Sequence, residues 1–136
     1  MAKVHFFYST MNAGKSTALL QSAHNYHETG NETILFIPRE DAEKNSGLIK
    51  SRIGLKAEAV VIDSKIKIFE HVKNETEKKQ IDAILIDEAQ FLKKHQVLEM
   101  CKVCDELDIP VMCYGIRTDF RGELFEGSAS LLALAD

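Results

Sequence analysis

Residues 9–16 read Ser-Thr-Met-Asn-Ala-Gly-Lys-Ser, between an apolar stretch ending at Tyr8 and a helical pattern that begins at Lys15. A glycine, a lysine and a hydroxyl in succession in that setting fit a phosphate cradle of the form Gly-x-x-x-x-Gly-Lys-[Ser/Thr]. Backbone N–H groups of such a loop can encircle a triphosphate, and the positive end of the following helix adds to the attraction. Gly14 lets the backbone approach the phosphate, Lys15 can reach the β- and γ-phosphates, and the Ser16 hydroxyl suits Mg²⁺. Ser9 stands where the general pattern has glycine. That glycine serves a tight turn, and a small serine fits there if its φ is negative. The competing reading is a helix that merely starts with Gly-Lys-Ser-Thr.

A second cluster lies in Ile-Asp-Ala-Ile-Leu-Ile-Asp-Glu-Ala-Gln-Phe-Leu, residues 81–92, an apolar run that ends in Asp87-Glu88. An acid at such a strand end binds Mg²⁺ in phosphate-loop enzymes, and Asp87 suits that task. Glu88 is the more telling residue. A second carboxylate beside a γ-phosphate is repelled by it, so it needs a purpose, and accepting the proton of an attacking hydroxyl or water is one. The alternative is that the acidic pair caps the helix after Leu92, because carboxylates favour helix starts. A base acting on water (an ATPase) and one acting on a substrate hydroxyl (a kinase) look the same at this level.

Both clusters need a frame. The spacing predicts strands at Lys3–Tyr8, Thr33–Ile37, Ala57–Ile62, Ile81–Ile86 and Pro110–Tyr114. Helices are predicted at Lys15–Thr29, with Leu19, Ala23 and Tyr26 on one face, at Lys65–Lys79, with Ile68, Phe69 and Val72 inward, and at Lys93–Leu107. Another helix starts at Ser128. Arg39 to Lys56 reads as a long polar loop with one helical turn, and Gly115 to Gly127 as a glycine-punctuated loop. Strands alternating with helices imply a mainly parallel α/β sheet with right-handed crossovers and helices on both faces. Ligands of such sheets bind beyond the carboxyl ends of the strands. Ser9–Ser16, Asp87–Phe91 and Gly115–Arg121 all leave that edge, so they are expected to converge.

A chain of 136 residues is one ordinary domain with enough length for a core. The net charge of −4 argues against a broad grip on nucleic acid. No apolar run approaches the length of a membrane span, and the first residues lack a signal-peptide layout. Three cysteines without such a signal point to a reducing cytoplasm. Cys101-x-x-Cys104 suggests neither zinc nor redox chemistry, because Val97, Cys101, Cys104 and Leu107 recur as the buried stripe of a helix. Cys113 lies inside an apolar strand, and the five histidines are scattered without a partner pattern.

Taken together, Tyr-Ser-Thr-Met-Asn-Ala-Gly-Lys-Ser-Thr, Ser-Arg-Ile-Gly-Leu, Ile-Asp-Glu-Ala-Gln-Phe-Leu and Cys-Tyr-Gly-Ile-Arg-Thr-Asp-Phe-Arg-Gly occur in this order along almost the entire chain. In this the sequence resembles the thymidine kinases of the type shared by bacteria and the human cytosolic enzyme, whose bacterial members commonly carry serine at the position of Ser9. The resemblance implies a three-layer P-loop (RecA-like) α/β domain over residues 1–136. It implies transfer of the γ-phosphate of ATP to the 5′-hydroxyl of thymidine or deoxyuridine with Mg²⁺, in pyrimidine salvage and DNA precursor synthesis. Carried over residue by residue, Ser9, Thr10, Met11, Asn12, Ala13, Gly14, Lys15 and Ser16 hold the ATP phosphates. Asp87, Glu88, Ala89 and Gln90 adjoin them, with Glu88 as catalytic base and Ser16 and Asp87 placing Mg²⁺. Met11, Phe91 and Phe120 line the base pocket, and a flat apolar slot suits a pyrimidine. Without the resemblance, Phe91 and Phe120 read as ordinary core. Arg52 matches a family position on the loop before the third predicted strand, where an arginine can stabilise charge on a transferring phosphate. Relatives form homotetramers in the cytoplasm. They continue past the position of Asp136 with a zinc-binding segment and a lasso loop over thymidine, which this chain is expected to lack, along with the zinc ligands. Expected partners are therefore the nucleoside, ATP and other copies of the chain, with no nucleic acid and no membrane. The alternative activity is an ATPase or a non-catalytic ATP-binding module.

Overall fold

Apolar runs without helical spacing become strands here, and amphipathic runs become the helices that cover them. The computed structural model of the chain describes residues 2–9, 15–39, 47–51, 54–119 and 121–135. The elements are β1 (Val4–Ser9), α1 (Lys15–Glu28), β2 (Thr33–Pro38), β3 (Leu48–Lys50), β4 (Lys56–Glu58), β5 (Val60–Ile62), α2 (Ile68–Lys78), β6 (Ala83–Ile86), α3 (Lys94–Leu107), β7 (Val111–Ile116) and α4 (Glu126–Leu134). A single 3₁₀ turn, Ala89–Phe91, follows β6. Among the described residues, the main sheet has five strands in the order β1-β7-β6-β2-β5, and every pairing is parallel. β7 therefore lies between β1, which precedes residues 10–14, and β6, which ends in the acidic pair.

Period-two alternation divides the core into two layers. On one face Ile34, Phe36, Ile84, Ile86, Val111 and Cys113 pack with Ile68 and Val72 of α2, Val97 and Met100 of α3, and Leu131 of α4. On the other face Leu35, Ile37, Ala83, Leu85 and Tyr114 pack with Leu19, Leu20 and Ala23 of α1. Each fully buried Leu, Ile, Val or Phe contributes about 1.5–3 kcal/mol of transfer free energy. The three-layer α/β arrangement matches the expectation from sequence.

The expected long loop at Arg39–Lys56 is corrected. It contains β3, which pairs antiparallel with β4. The expected strand Ala57–Ile62 divides at Ala59, so that Lys56–Glu58 serves this hairpin and Val60–Ile62 the main sheet. The Ala59 N–H donates to the Gly47 carbonyl at 3.1 Å, which fixes the division. Ile49 carries the hairpin onto α1 and is fully buried there. Three-residue strands are too short to leave a readable alternation.

The strand expected to stop at Tyr114 continues to Ile116. Gly115 is needed there because the turn after β6 comes so close. A Cβ at 115 would sit 2.7 Å from Gln90 Oε1 and 3.1 Å from the Gln90 nitrogen. Gly127 at the start of α4 has the same cause. A Cβ there would lie 2.9 Å from the carbonyl oxygens of Gln90 and Leu92, and nearer still to that of Ala89.

Cys104 and Cys113 are buried and Cys101 is half-buried on α3. Burial, more than the neighbouring Cys104 and Cys101, raises the Cys113 thiol far above its ordinary range. These cysteines behave as core residues.

Gly127→Ala is expected to destabilise the fold by about 2–3 kcal/mol, because the overlap is with backbone rather than with a yielding side chain. Gly30→Ala is the comparison. Gly30 has φ +81° and open space around it, so the substitution costs only about 1 kcal/mol of left-handed strain. Thermal or urea unfolding of both variants checks the order, and equal losses would refute the close-packing account.

Candidate active site

The strand order brings the chemistry-bearing segments to one edge. Ser9 at the end of β1 registers with Ile116 at the end of β7, and Ile86 at the end of β6 registers with Cys113. Lys15 and Ser16, in the first turn of α1, face the residues after β6. The described parts of the three expected segments do converge. Thr10, Met11, Asn12, Ala13 and Gly14 lie outside the described residues, as do Arg52 and Phe120.

The two neighbouring carboxylates are sent to different partners. Asp87 is 2% exposed. Its Oδ2 accepts the Ser16 hydroxyl at 2.6 Å, and its Oδ1 accepts the Glu88 N–H at 2.9 Å. Its own N–H donates to the Phe36 carbonyl at 3.0 Å, tying it to β2. Glu88 then adopts a left-handed backbone, φ 51° and ψ 41°, a conformation that costs an L-residue about 1–2 kcal/mol. With that turn Glu88 Oε1 meets Lys15 Nζ at 2.5 Å, with both side chains 17% exposed. Its Oε2 accepts Gln90 Nε2 at 2.5 Å.

The turn itself is held from behind. Gln90 Oε1 accepts the Ile116 N–H at 3.3 Å, and Ser128 Oγ donates to the Ile116 carbonyl at 2.5 Å. Asp87 and Glu88 do not cap α3. Its first turn is closed by Gln96, whose Oε1 accepts the Lys93 N–H at 2.8 Å.

Phe91 is neither core nor fully open. It is 36% exposed, and its ring meets Phe125 edge-on at 5.8 Å. It lines a cleft of about 170 Å³ with Pro38, Arg39, Ile62, Lys93 and His95, beyond the ends of β2 and β5. Sequence reasoning did not single out the roles of Ser128, Phe125, Gly115 and Gly127. The only sequence sign of these close approaches was the pair of glycines flanking the loop after β7.

Burial raises the Asp87 carboxyl above its ordinary value of 3.8, and the Ser16 hydroxyl and Lys15 charge oppose that rise. Ser16 Oγ and Asp87 Oδ2 are hard oxygen donors of the kind Mg²⁺ takes, so the pair fits this ion. The described residues contain no cluster of three or more His, Cys, Asp or Glu side chains able to hold a metal by themselves.

A lysine and hydroxyl opening a helix, facing an acidic strand end across an intervening parallel strand, define a P-loop phosphoryl-transfer domain. A family model described as thymidine kinase matches residues 2–136. The chain is 53% identical over 136 residues to a thymidine kinase of Zymomonas mobilis, covering all of this chain and 70% of that one. It is 52% identical to one of Rhodopirellula baltica, covering all of this chain and 64% of that one. For the thymidine kinase of Escherichia coli strain K12 the figures are 50%, all of this chain and 66% of that one. The chain thus spans about two thirds of the length of these relatives. It belongs to the thymidine kinase family, a family of ATP-dependent nucleoside kinases.

The raised Asp87 carboxyl has a sign that can be tested. The native state binds its proton more tightly than the unfolded chain, so stability falls as pH rises above 3.8 through the native value. In buffer free of Mg²⁺ and nucleotide, Asp87→Asn is expected to raise the melting temperature at pH 7. The gain should shrink as pH falls toward 4. An Asn variant that melts lower at pH 7 would show that the paired carboxylate stabilises the fold.

Proposed function

We propose that residues 1–136 act as a single P-loop kinase domain that transfers the γ-phosphate of ATP to the 5′-hydroxyl of thymidine or deoxyuridine. The observation that carries this reading is the Glu88 carboxylate, placed against Lys15 at the edge where β1, β6 and β7 end. Family membership supplies the substrate class.

In this reading, Ser9 to Ser16 cradle the triphosphate, and Lys15 exchanges Glu88 for phosphate oxygens. The exchange frees Glu88 Oε1 to accept the proton of the 5′-hydroxyl as its oxygen attacks the γ-phosphorus in line. Ser16 and Asp87 would hold Mg²⁺, which when bound neutralises charge on the β- and γ-phosphates. Ala89 and Gln90, both buried, form the turn behind this edge of the phosphate site. Phe91, with Met11 and Phe120, offers the pyrimidine an apolar wall, and Arg52 stabilises charge on the transferring group. Positioning and charge stabilisation supply most of the rate. We also place the protein in the cytoplasm as a homo-oligomer, as the family resemblance suggests. No helix among the described residues is long and apolar enough to cross a membrane.

The test is Mg²⁺-ATP-dependent 5′-phosphorylation of thymidine, with ATP binding measured in parallel. Glu88→Gln is expected to keep ATP binding and lose about 10²–10⁴-fold in turnover, the range for a general base. Lys15→Ala is expected to lose ATP binding itself. Equal turnover in wild type and Glu88→Gln would remove the base assignment. ATP hydrolysis independent of thymidine would overturn the kinase reading.

A further inference from the structure

Gln90 is 3% exposed, and both ends of its amide are committed within the protein. The orientation of that amide follows from its neighbours. The Ile116 N–H can only donate, so the atom facing it is the carbonyl Oε1. The other end is therefore the NH₂, and it faces Glu88 Oε2, which can only accept when ionised. The glutamine amide offers an acceptor to the backbone N–H at one edge and a donor to the carboxylate at the other without carrying charge. The absence of a Cβ at Gly115 gives the amide its room, since a Cβ there would sit 2.7 Å from Gln90 Oε1.

We propose that Gln90 is a positioning residue that anchors the catalytic carboxylate of Glu88 to β7. This rests on the kinase reading above and deepens it. Gln90 holds Oε2 while Oε1 is left to change partners between Lys15 and the acceptor hydroxyl. In the transfer step the O–H bond of the acceptor breaks, and its proton passes to Glu88 Oε1. The acceptor oxygen bonds to the γ-phosphorus, and the bond between that phosphorus and the bridging oxygen breaks with its electron pair leaving on ADP. Throughout, Oε2 stays on Gln90, so the carboxylate keeps its aim after its lysine partner is taken by phosphate. Gln90 thus acts through Glu88 rather than on the nucleotide. The left-handed backbone at Glu88 and the anchored side chain constrain the base from both ends.

The experiment compares wild type, Gln90→Met and Gly115→Ala in steady-state thymidine phosphorylation, with thermal melting of each. Gln90→Met is expected to lower kcat about 10–100-fold while KM for ATP and for thymidine each move less than about 3-fold. Gly115→Ala, which crowds the Gln90 amide oxygen and also the backbone nitrogens of Ala89 and Gln90, is expected to lower kcat as well. If Gln90→Met does not fold, Gln90→Asn, which retains the amide but is one methylene too short, replaces it with the same expectation. An unchanged kcat in a folded variant would overturn the proposal. So would a tenfold rise in KM for ATP at constant kcat, which would make Gln90 a nucleotide contact. A wild-type chain that transfers no phosphate to thymidine fails the kinase reading itself, a result separate from both.

Discussion

Two carboxylates follow one another at the end of a buried strand, and they cannot point the same way. Asp87 and Glu88 are adjacent in sequence and both substantially shielded from water, so their mutual repulsion is poorly screened. The structure separates them by reversing the backbone hand at Glu88. One acid goes to a hydroxyl and the other to a lysine and an amide. The left-handed residue, the 3₁₀ turn, the two glycines without space for a Cβ and the buried Gln90 all belong to this single solution. The sheet order is part of it too, because β7 between β1 and β6 supplies the backbone group that anchors the turn.

The arrangement is organised for chemistry more than for stability. A buried ion pair such as Lys15–Glu88 gains little net free energy once the desolvation of both charges is counted. Asp87 carries a burial cost that the Ser16 hydroxyl offsets only in part. Strain of this kind persists at functional sites when the surroundings over-determine the geometry. Here the surroundings are the two apolar layers, whose fully buried Ile84, Leu85 and Ile86 lead directly into the acids.

Much of this was legible in the sequence, and the reason differs by element. β6 and its acids could be read because an apolar run followed by two charges is a local signal. The same holds for α1, where a periodic apolar face follows directly on Lys15 and Ser16. The β3–β4 hairpin was missed because three-residue strands have no periodicity, and what holds Ile49 is a distant helix. The roles of Gly115 and Gly127 were hidden because they answer to residues 89–92, which only the tertiary fold brings near. Gln90 falls in a segment that the sequence marks, but its bonding to Ile116 and Glu88 depends on strand order, which no local pattern encodes.

Lys15 and Glu88 come from distant stretches of chain, and that has a consequence for how the protein comes into being. Lys15 and Glu88 are 73 positions apart, and the turn that holds Glu88 is braced by Ile116 and by Ser128 of the last described helix. During synthesis Lys15 emerges before Glu88, and the Ile116 and Ser128 groups that brace the Glu88 turn emerge later still. Closures of this kind must offset the entropy of long loops before their contacts stabilise the chain. A nascent or partly unfolded chain therefore has the lysine without the carboxylate that must face it. Nucleotide binding that depends on this apposition selects the completed fold and holds it by mass action. In this way Ser128 of α4, far beyond Lys15 in the chain, helps to brace the turn that carries the lysine's partner.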